Sequence, residues 1–177
     1  MVVAAERNII LTGFMGTGKS EVGKRLAALL GRKFIDTDKR IEQREGMSIA
    51  QLFALRGESY FREQEKQAIA HACREEGVII ATGGGAMVSE ENAARLKASG
   101  MVICLTATPE VIVNRVQNDQ TRPLLQSEDR LARVRALLAT RALAYAKADA
   151  MIDTSDLTMS EVVQALLTIL GIERDVL

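Results

Sequence analysis

An α/β architecture, one parallel sheet layered between helices, is predicted by three observations. Apolar runs of strand length alternate with helical periodicities along the chain. Two of those runs, Val78-Ile79-Ile80-Ala81-Thr82 and Met101-Val102-Ile103-Cys104-Leu105, are apolar at nearly every position, as in strands covered on both faces. The first run passes through a glycine-rich turn directly into a helical pattern, the start of a strand–turn–helix unit.

Taken in order, the first strand is expected at 8–12, Asn8-Ile9-Ile10-Leu11-Thr12. Val22, Leu26, Leu29 and Leu30 then recur at helical spacing, and Gly31 closes a helix placed at 19–30. Further strands are expected at 33–36, 78–82, 101–105 and 150–152. Further helices are expected at 37–45, 48–55, 59–75, 90–98, 109–117, 127–147 and 160–170. Thr108-Pro109-Glu110 is a well-formed helix start, with Pro in the first turn. The polar stretch 117–123 ends in Pro123, which keeps Arg122 extended, and reads as a mobile loop between two helices. There are no repeats and no Pro/Ser-rich linker, so the 177 residues form a single domain, 1–177.

Composition excludes several function classes. Lys+Arg and Asp+Glu both number 23, so no net field recruits nucleic acid or an anionic membrane. Aromatics make up only 3% of the chain, too few for base-stacking platforms. Cys73 and Cys104 show no metal-type spacing and read as buried, reduced thiols of a cytoplasmic protein. Residues 1–7 lack the basic start and apolar stretch of a signal peptide, and no uncharged apolar run approaches the roughly 18 residues of a membrane span. His71, on a helix among alanines, has no partners that suggest a metal or a catalytic dyad.

Residues 13–20, Gly13-Phe14-Met15-Gly16-Thr17-Gly18-Lys19-Ser20, form a complete G-x-x-x-x-G-K-[ST] phosphate loop between that strand and helix. At the usual glycine frequency of roughly 7%, such a match arises by chance in about one chain of this length per hundred. Main-chain N–H groups of the loop and of the helix N-terminus converge on one anion, and the helix dipole favours negative charge there. Gly13, Gly16, Thr17, Gly18, Lys19, Ser20 and Glu21 are therefore expected to hold the nucleotide phosphates. Lys19 would reach the β/γ-phosphates, and the Ser20 hydroxyl would ligate Mg²⁺.

Four further features bear on the acceptor. Asp36-Thr37-Asp38 follows the second predicted strand, at the sheet edge that lines the crevice. One aspartate could hold Mg²⁺ through its water shell and the other accept a hydroxyl proton; either could instead cap the next helix. Arg62 and Glu65, three apart on one helix face, could present a guanidinium edge to a carboxylate. From spacing alone, an ordinary surface pair is the better reading. Thr82-Gly83-Gly84-Gly85 ends the most apolar strand and allows close approach of a ligand to the backbone. Arg122 on the polar loop is a candidate for neutralising the transferring phosphoryl group; alone, it and Arg141 read as solvated surface residues.

Together these pieces resemble shikimate kinase. The phosphate loop, Asp36-Thr37-Asp38, Phe61-Arg62-x-x-Glu65, Thr82-Gly83-Gly84-Gly85, Arg122-Pro123-Leu124-Leu125, and Arg141 with Tyr145 occur in the family's order and spacing over nearly the whole chain. The resemblance implies a phosphate-loop kinase fold of the nucleoside-monophosphate-kinase type, with a five-stranded parallel sheet in the order 2-3-1-4-5. It implies a substrate-binding region at about 37–65 and a lid at about 116–126. Asp38 would bind shikimate hydroxyls and accept the proton of the attacking one. Arg62 and Arg141 would grip the carboxylate, with Gly83, Gly84 and Gly85 along the ring. Asp36 would stand in the second shell of Mg²⁺, Arg122 would close over the phosphates, and Arg115 would lie against the adenine. Lys19, Asp38 and Arg122 are thus the expected catalytic set, ATP and shikimate the expected partners, and a monomer the expected state. Glu21 departs from the family's frequent threonine, which an acid in a first helical turn tolerates. The competing readings are another small-molecule kinase, acting on gluconate or a nucleoside monophosphate, and a non-catalytic nucleotide-binding regulator.

Overall fold

The computed structural model describes residues 7–117 and 129–173. Its five strands, β1 (Asn8–Gly13), β2 (Phe34–Asp36), β3 (Ile79–Ala81), β4 (Gly100–Thr106) and β5 (Ala150–Asp153), all run parallel, in the order β2-β3-β1-β4-β5. This is the expected sheet. Seven α-helices connect or flank the strands: α1 (Lys19–Leu30), α2 (Thr37–Glu45), α3 (Ile49–Ala72), α4 (Glu90–Ser99), α5 (Pro109–Val116), α6 (Arg130–Tyr145) and α7 (Met159–Leu170). The 117–123 loop and the expected lid fall mostly outside the described residues, and Arg122 with them.

Successive strand residues point to opposite faces, which is why the central strands read as unbroken apolar runs. Ile9, Leu11, Ile79, Ile103 and Leu105 pack against α1 and α7, while Ile10, Ile35, Ile80 and Val102 pack against α3, α4 and α6. Helix α7 carries the β-branched Val162 and Val163, which cost well under about 1 kcal/mol each in helix propensity. Burying each contributes about 1.5–3 kcal/mol, so packing decides the local conformation.

Two local features refine the expected elements. The helices expected at 48–55 and 59–75 meet at Gly57, whose φ of 80° and ψ of 172° are not helical. The chain bends there, so α3 is two helical segments, the second ending at Ala72 rather than 75. A short 3-10 turn, Ala86–Val88, follows the three glycines and was not anticipated.

The register aligns the functional edge. Leu11, Ala81 and Asp36 are neighbours across β1, β3 and β2. The residues just beyond them, the phosphate loop, Thr82-Gly83-Gly84-Gly85 and Asp38, therefore emerge side by side at the carboxyl end of the sheet.

Candidate active site

The phosphate loop is built from backbone. A Cβ at Gly13 would lie 2.0 Å from the Leu105 carbonyl oxygen, so only glycine lets β1 turn so close to β4. Thr17 Oγ1 donates to the Phe14 carbonyl at 2.7 Å, and Lys19 Nζ donates to the same oxygen at 2.8 Å. Gly18, in the left-handed region, offers no side-chain cap to α1. Val22 N donates to Gly18 O, so the first turn of α1 lies ahead of the helix's own ladder and faces the loop. The Glu21 side chain is exposed and paired with Lys24 at 2.9 Å, so only its main chain serves the site.

Ser20 and Asp36 are joined. Ser20 Oγ donates to Asp36 Oδ2 at 2.7 Å, while Asp36 Oδ1 accepts from Lys39 N at 3.1 Å as the N-cap of α2. The capping reading of Asp36 thus holds for one oxygen, while the other accepts from Ser20. No group of three or more acidic, His or Cys residues suited to a metal occurs among the described residues. A hydroxyl beside one carboxylate instead suits Mg²⁺, which keeps its waters and takes phosphate oxygens as ligands.

Next to the loop opens a cavity of about 250 Å³, lined by Lys19, Asp38, Arg62, Glu65, Gly83–Gly85 and Arg141. The Arg62–Glu65 pair is not the surface pair that spacing favours: Glu65 is 1% exposed. Its Oε2 accepts from Arg62 NH1 at 2.8 Å, and its Oε1 has no hydrogen-bond partner. Burial pushes the Glu65 carboxyl above the usual range, against the attraction of Arg62 and Arg141. The other edge of Arg62 is also taken, since Glu58 Oε1 accepts from Nε and NH2 at 3.3 and 3.1 Å. Glu58 is two-thirds exposed, and such an i,i+4 pair is worth only a few tenths of a kcal/mol, so a carboxylate ligand can displace it. Arg141 is also buried, at 8% exposure rather than solvated, with its guanidinium 5.4 Å from the Phe14 ring centre.

The three glycines form the floor between these groups. A Cβ at Gly83 would sit 2.8 Å from Asp38 Oδ1 and 2.9 Å from Glu65 Oε1; at Gly84, 3.3 Å from Arg141 NH1; at Gly85, 2.7 Å from Arg62 NH1. Gly83 leaves room for two acids, and Gly84 and Gly85 for one arginine each, so together they bring two acids and two arginines to one surface.

Arg115 joins the loop to the β5–α7 turn. Its NH1 donates to Gly16 O at 3.3 Å and Thr154 Oγ1 at 3.0 Å, and its NH2 to Thr154 O at 2.7 Å. Sequence reasoning did not find Thr154, and nothing in the sequence marks it as the partner of Arg115. It also missed Glu58, although the i,i+4 spacing to Arg62 was available. Cys104 is fully buried, and burial pushes its thiol up to about 11, while Cys73 is half-buried.

A phosphate loop opening onto a small pocket lined by two arginines and an aspartate defines a phosphate-loop kinase for a small acceptor. The family model for shikimate kinase matches residues 15–170. A shikimate kinase of Caldanaerobacter subterraneus subsp. tengcongensis is 48% identical over 158 residues, 89% of this chain and 92% of the relative. That of Geobacter sulfurreducens is 46% identical over 162 residues, 92% and 90% of the two chains. The structure of shikimate kinase from Acinetobacter baumannii in complex with shikimate superposes with a TM-score of 0.89 at 37% identity, over 93% of each chain. The chain belongs to the shikimate kinase family, and its activity is that of an ATP-dependent kinase.

Proposed function

We propose that this protein transfers the γ-phosphoryl group of ATP to the 3-hydroxyl of shikimate, giving shikimate 3-phosphate and ADP, a step toward chorismate and the aromatic amino acids. The observation that carries the residue assignment is the convergence of Asp38, Arg62 and Arg141 on Gly83, Gly84 and Gly85, beside the phosphate loop.

The amides of Gly16 to Glu21 and the ammonium of Lys19 hold the β- and γ-phosphates. Ser20, with Asp36 behind it, would hold Mg²⁺, which when bound neutralises charge on the phosphate oxygens. Arg62 and Arg141 clamp the carboxylate of the acid and so fix its orientation. Asp38 receives hydrogen bonds from the ring hydroxyls and accepts the proton as the 3-hydroxyl attacks in line. Arg115 lies against the adenine, and Arg122, outside the described residues, closes over the phosphates with the lid. The protein acts as a cytoplasmic monomer. No helix among the described residues is long and apolar enough to cross a membrane.

An ADP-release assay at saturating Mg·ATP with shikimate, gluconate and AMP tests the acceptor. Release with shikimate alone is expected. Faster release with either of the others would overturn the assignment.

A further inference from the structure

The hydroxyl of Tyr145 donates to the Gly84 carbonyl at 2.6 Å, a bond that neither the phosphate cradle nor the carboxylate clamp uses. Tyr145 stands four residues after Arg141 on α6, so ring and guanidinium leave the helix on one face. The ring is 4% exposed and packs with Phe14, Met15, Cys104 and Val134 beneath the phosphate loop. Arg141 covers the same Phe14 ring. Gly84 is where these parts meet. A Cβ there would lie 3.3 Å from Arg141 NH1, 3.4 Å from Gly13 O and 3.6 Å from Met15 N.

Three consecutive glycines have no side chains to fix their peptide planes, and ordering them costs more backbone entropy than ordering other residues. In a trans peptide the C=O and N–H point in opposite directions, so anchoring the Gly84 carbonyl also sets the direction of the Gly85 N–H. Phenylalanine would fill the Tyr145 space equally well; the hydroxyl adds this anchor and an interaction with the Arg141 side chain.

We infer that Tyr145 is a positioning residue for the acceptor: its hydroxyl locks the Gly84–Gly85 peptide to α6 and thereby sets the spacing between the glycine floor, Arg141 and the phosphate loop. The inference rests on the shikimate reading above. Burial pushes the phenol up to about 12, so the group remains a donor at any working pH.

The test is Tyr145→Phe assayed beside the wild type for both substrates. The KM for shikimate should rise about tenfold, the worth of one buried hydrogen bond, while the KM for ATP and kcat change less than about threefold. Thermal denaturation should shift by only a few degrees. An unchanged shikimate KM, or equal increases for both substrates, would overturn the role. A wild type that fails to phosphorylate shikimate would sink the activity assignment and this inference with it, whereas an active wild type with an unaffected Tyr145→Phe sinks the inference alone. Should the variant not fold, the wild-type Tyr145 hydroxyl proton is followed by NMR. Slow exchange and a shift on adding shikimate are expected; free exchange with shikimate bound would overturn the role.

Discussion

The two halves of the site are made of different materials. The donor half, Gly13 to Ser20, lies within eight consecutive residues and works through main-chain amides, one ammonium and a helix dipole. The acceptor half takes Asp38 from α2, Arg62 and Glu65 from α3, the glycines from the end of β3 and Arg141 from α6. It works through buried charges that stabilise only when correctly paired. The difference teaches where each half is vulnerable. The cradle fails when a group that touches phosphate is lost, whereas the acid pocket fails when any wall moves.

Lys19→Ala should have the greatest effect, lowering kcat on the order of 10³-fold or more with the fold intact, because Lys19 is the one charged side chain within residues 13–20. Steady-state kinetics with circular dichroism checks both points. Asp38→Asn should lower kcat by roughly 10²-fold or more with little change in ATP affinity; an unchanged kcat would remove Asp38 from the chemistry.

In the acceptor half the two arginines should separate. Arg141→Ala removes a buried charge and should raise the KM for shikimate by about 10²-fold. Arg62→Ala, at a half-exposed position flanked by Glu58 and Glu65, should raise it by only about tenfold, with ATP binding unchanged in both variants. Isothermal titration with shikimate ranks them, and equal losses would blur the distinction drawn here. Gly83→Ala is a test through shape alone. Its methyl would press on Asp38 and Glu65 at 2.8 and 2.9 Å, so shikimate kcat/KM should fall severalfold while the phosphate loop still binds ATP.

The smallest effect is one of pH. Burial holds the Glu65 carboxyl above the usual glutamate range. The folded protein therefore binds that proton more tightly than the unfolded chain. The stability linked to it is fully present below the unfolded value and is lost as pH rises through the folded one. For binding the sign is opposite. As pH falls through the folded value Glu65 loses its charge and its hold on Arg62, so the KM for shikimate should rise on the acid side. Glu65→Gln should abolish that limb; a limb that persists would assign it to another group.

How much of this could be read from the sequence follows the same division. The donor half was legible because its geometry is local: strand, glycine turn, lysine and helix are adjacent in the chain. The sheet order was legible from the resemblance, and the two separate helices at 48–55 and 59–75 from the helical patterns of the sequence. The acceptor half was not legible from spacing. Arg62–Glu65 reads as a solvated i,i+3 pair and Arg141 as a lone surface arginine until tertiary packing buries Glu65 and Arg141, and burial is a non-local property. Only the resemblance to a family joined these residues into one site. Thr154, whose contact with Arg115 spans 39 residues, and Glu58 escaped both routes.

The central claim is that the acceptor is held by its carboxylate between two guanidinium groups, with its reactive hydroxyl at Asp38. A crystal structure with ADP and shikimate bound tests it most directly. The carboxylate should lie within hydrogen-bonding distance of both Arg62 and Arg141, with Glu58 displaced and the 3-hydroxyl on Asp38. A carboxylate bound away from both arginines, or a 3-hydroxyl facing away from Asp38, would contradict the account.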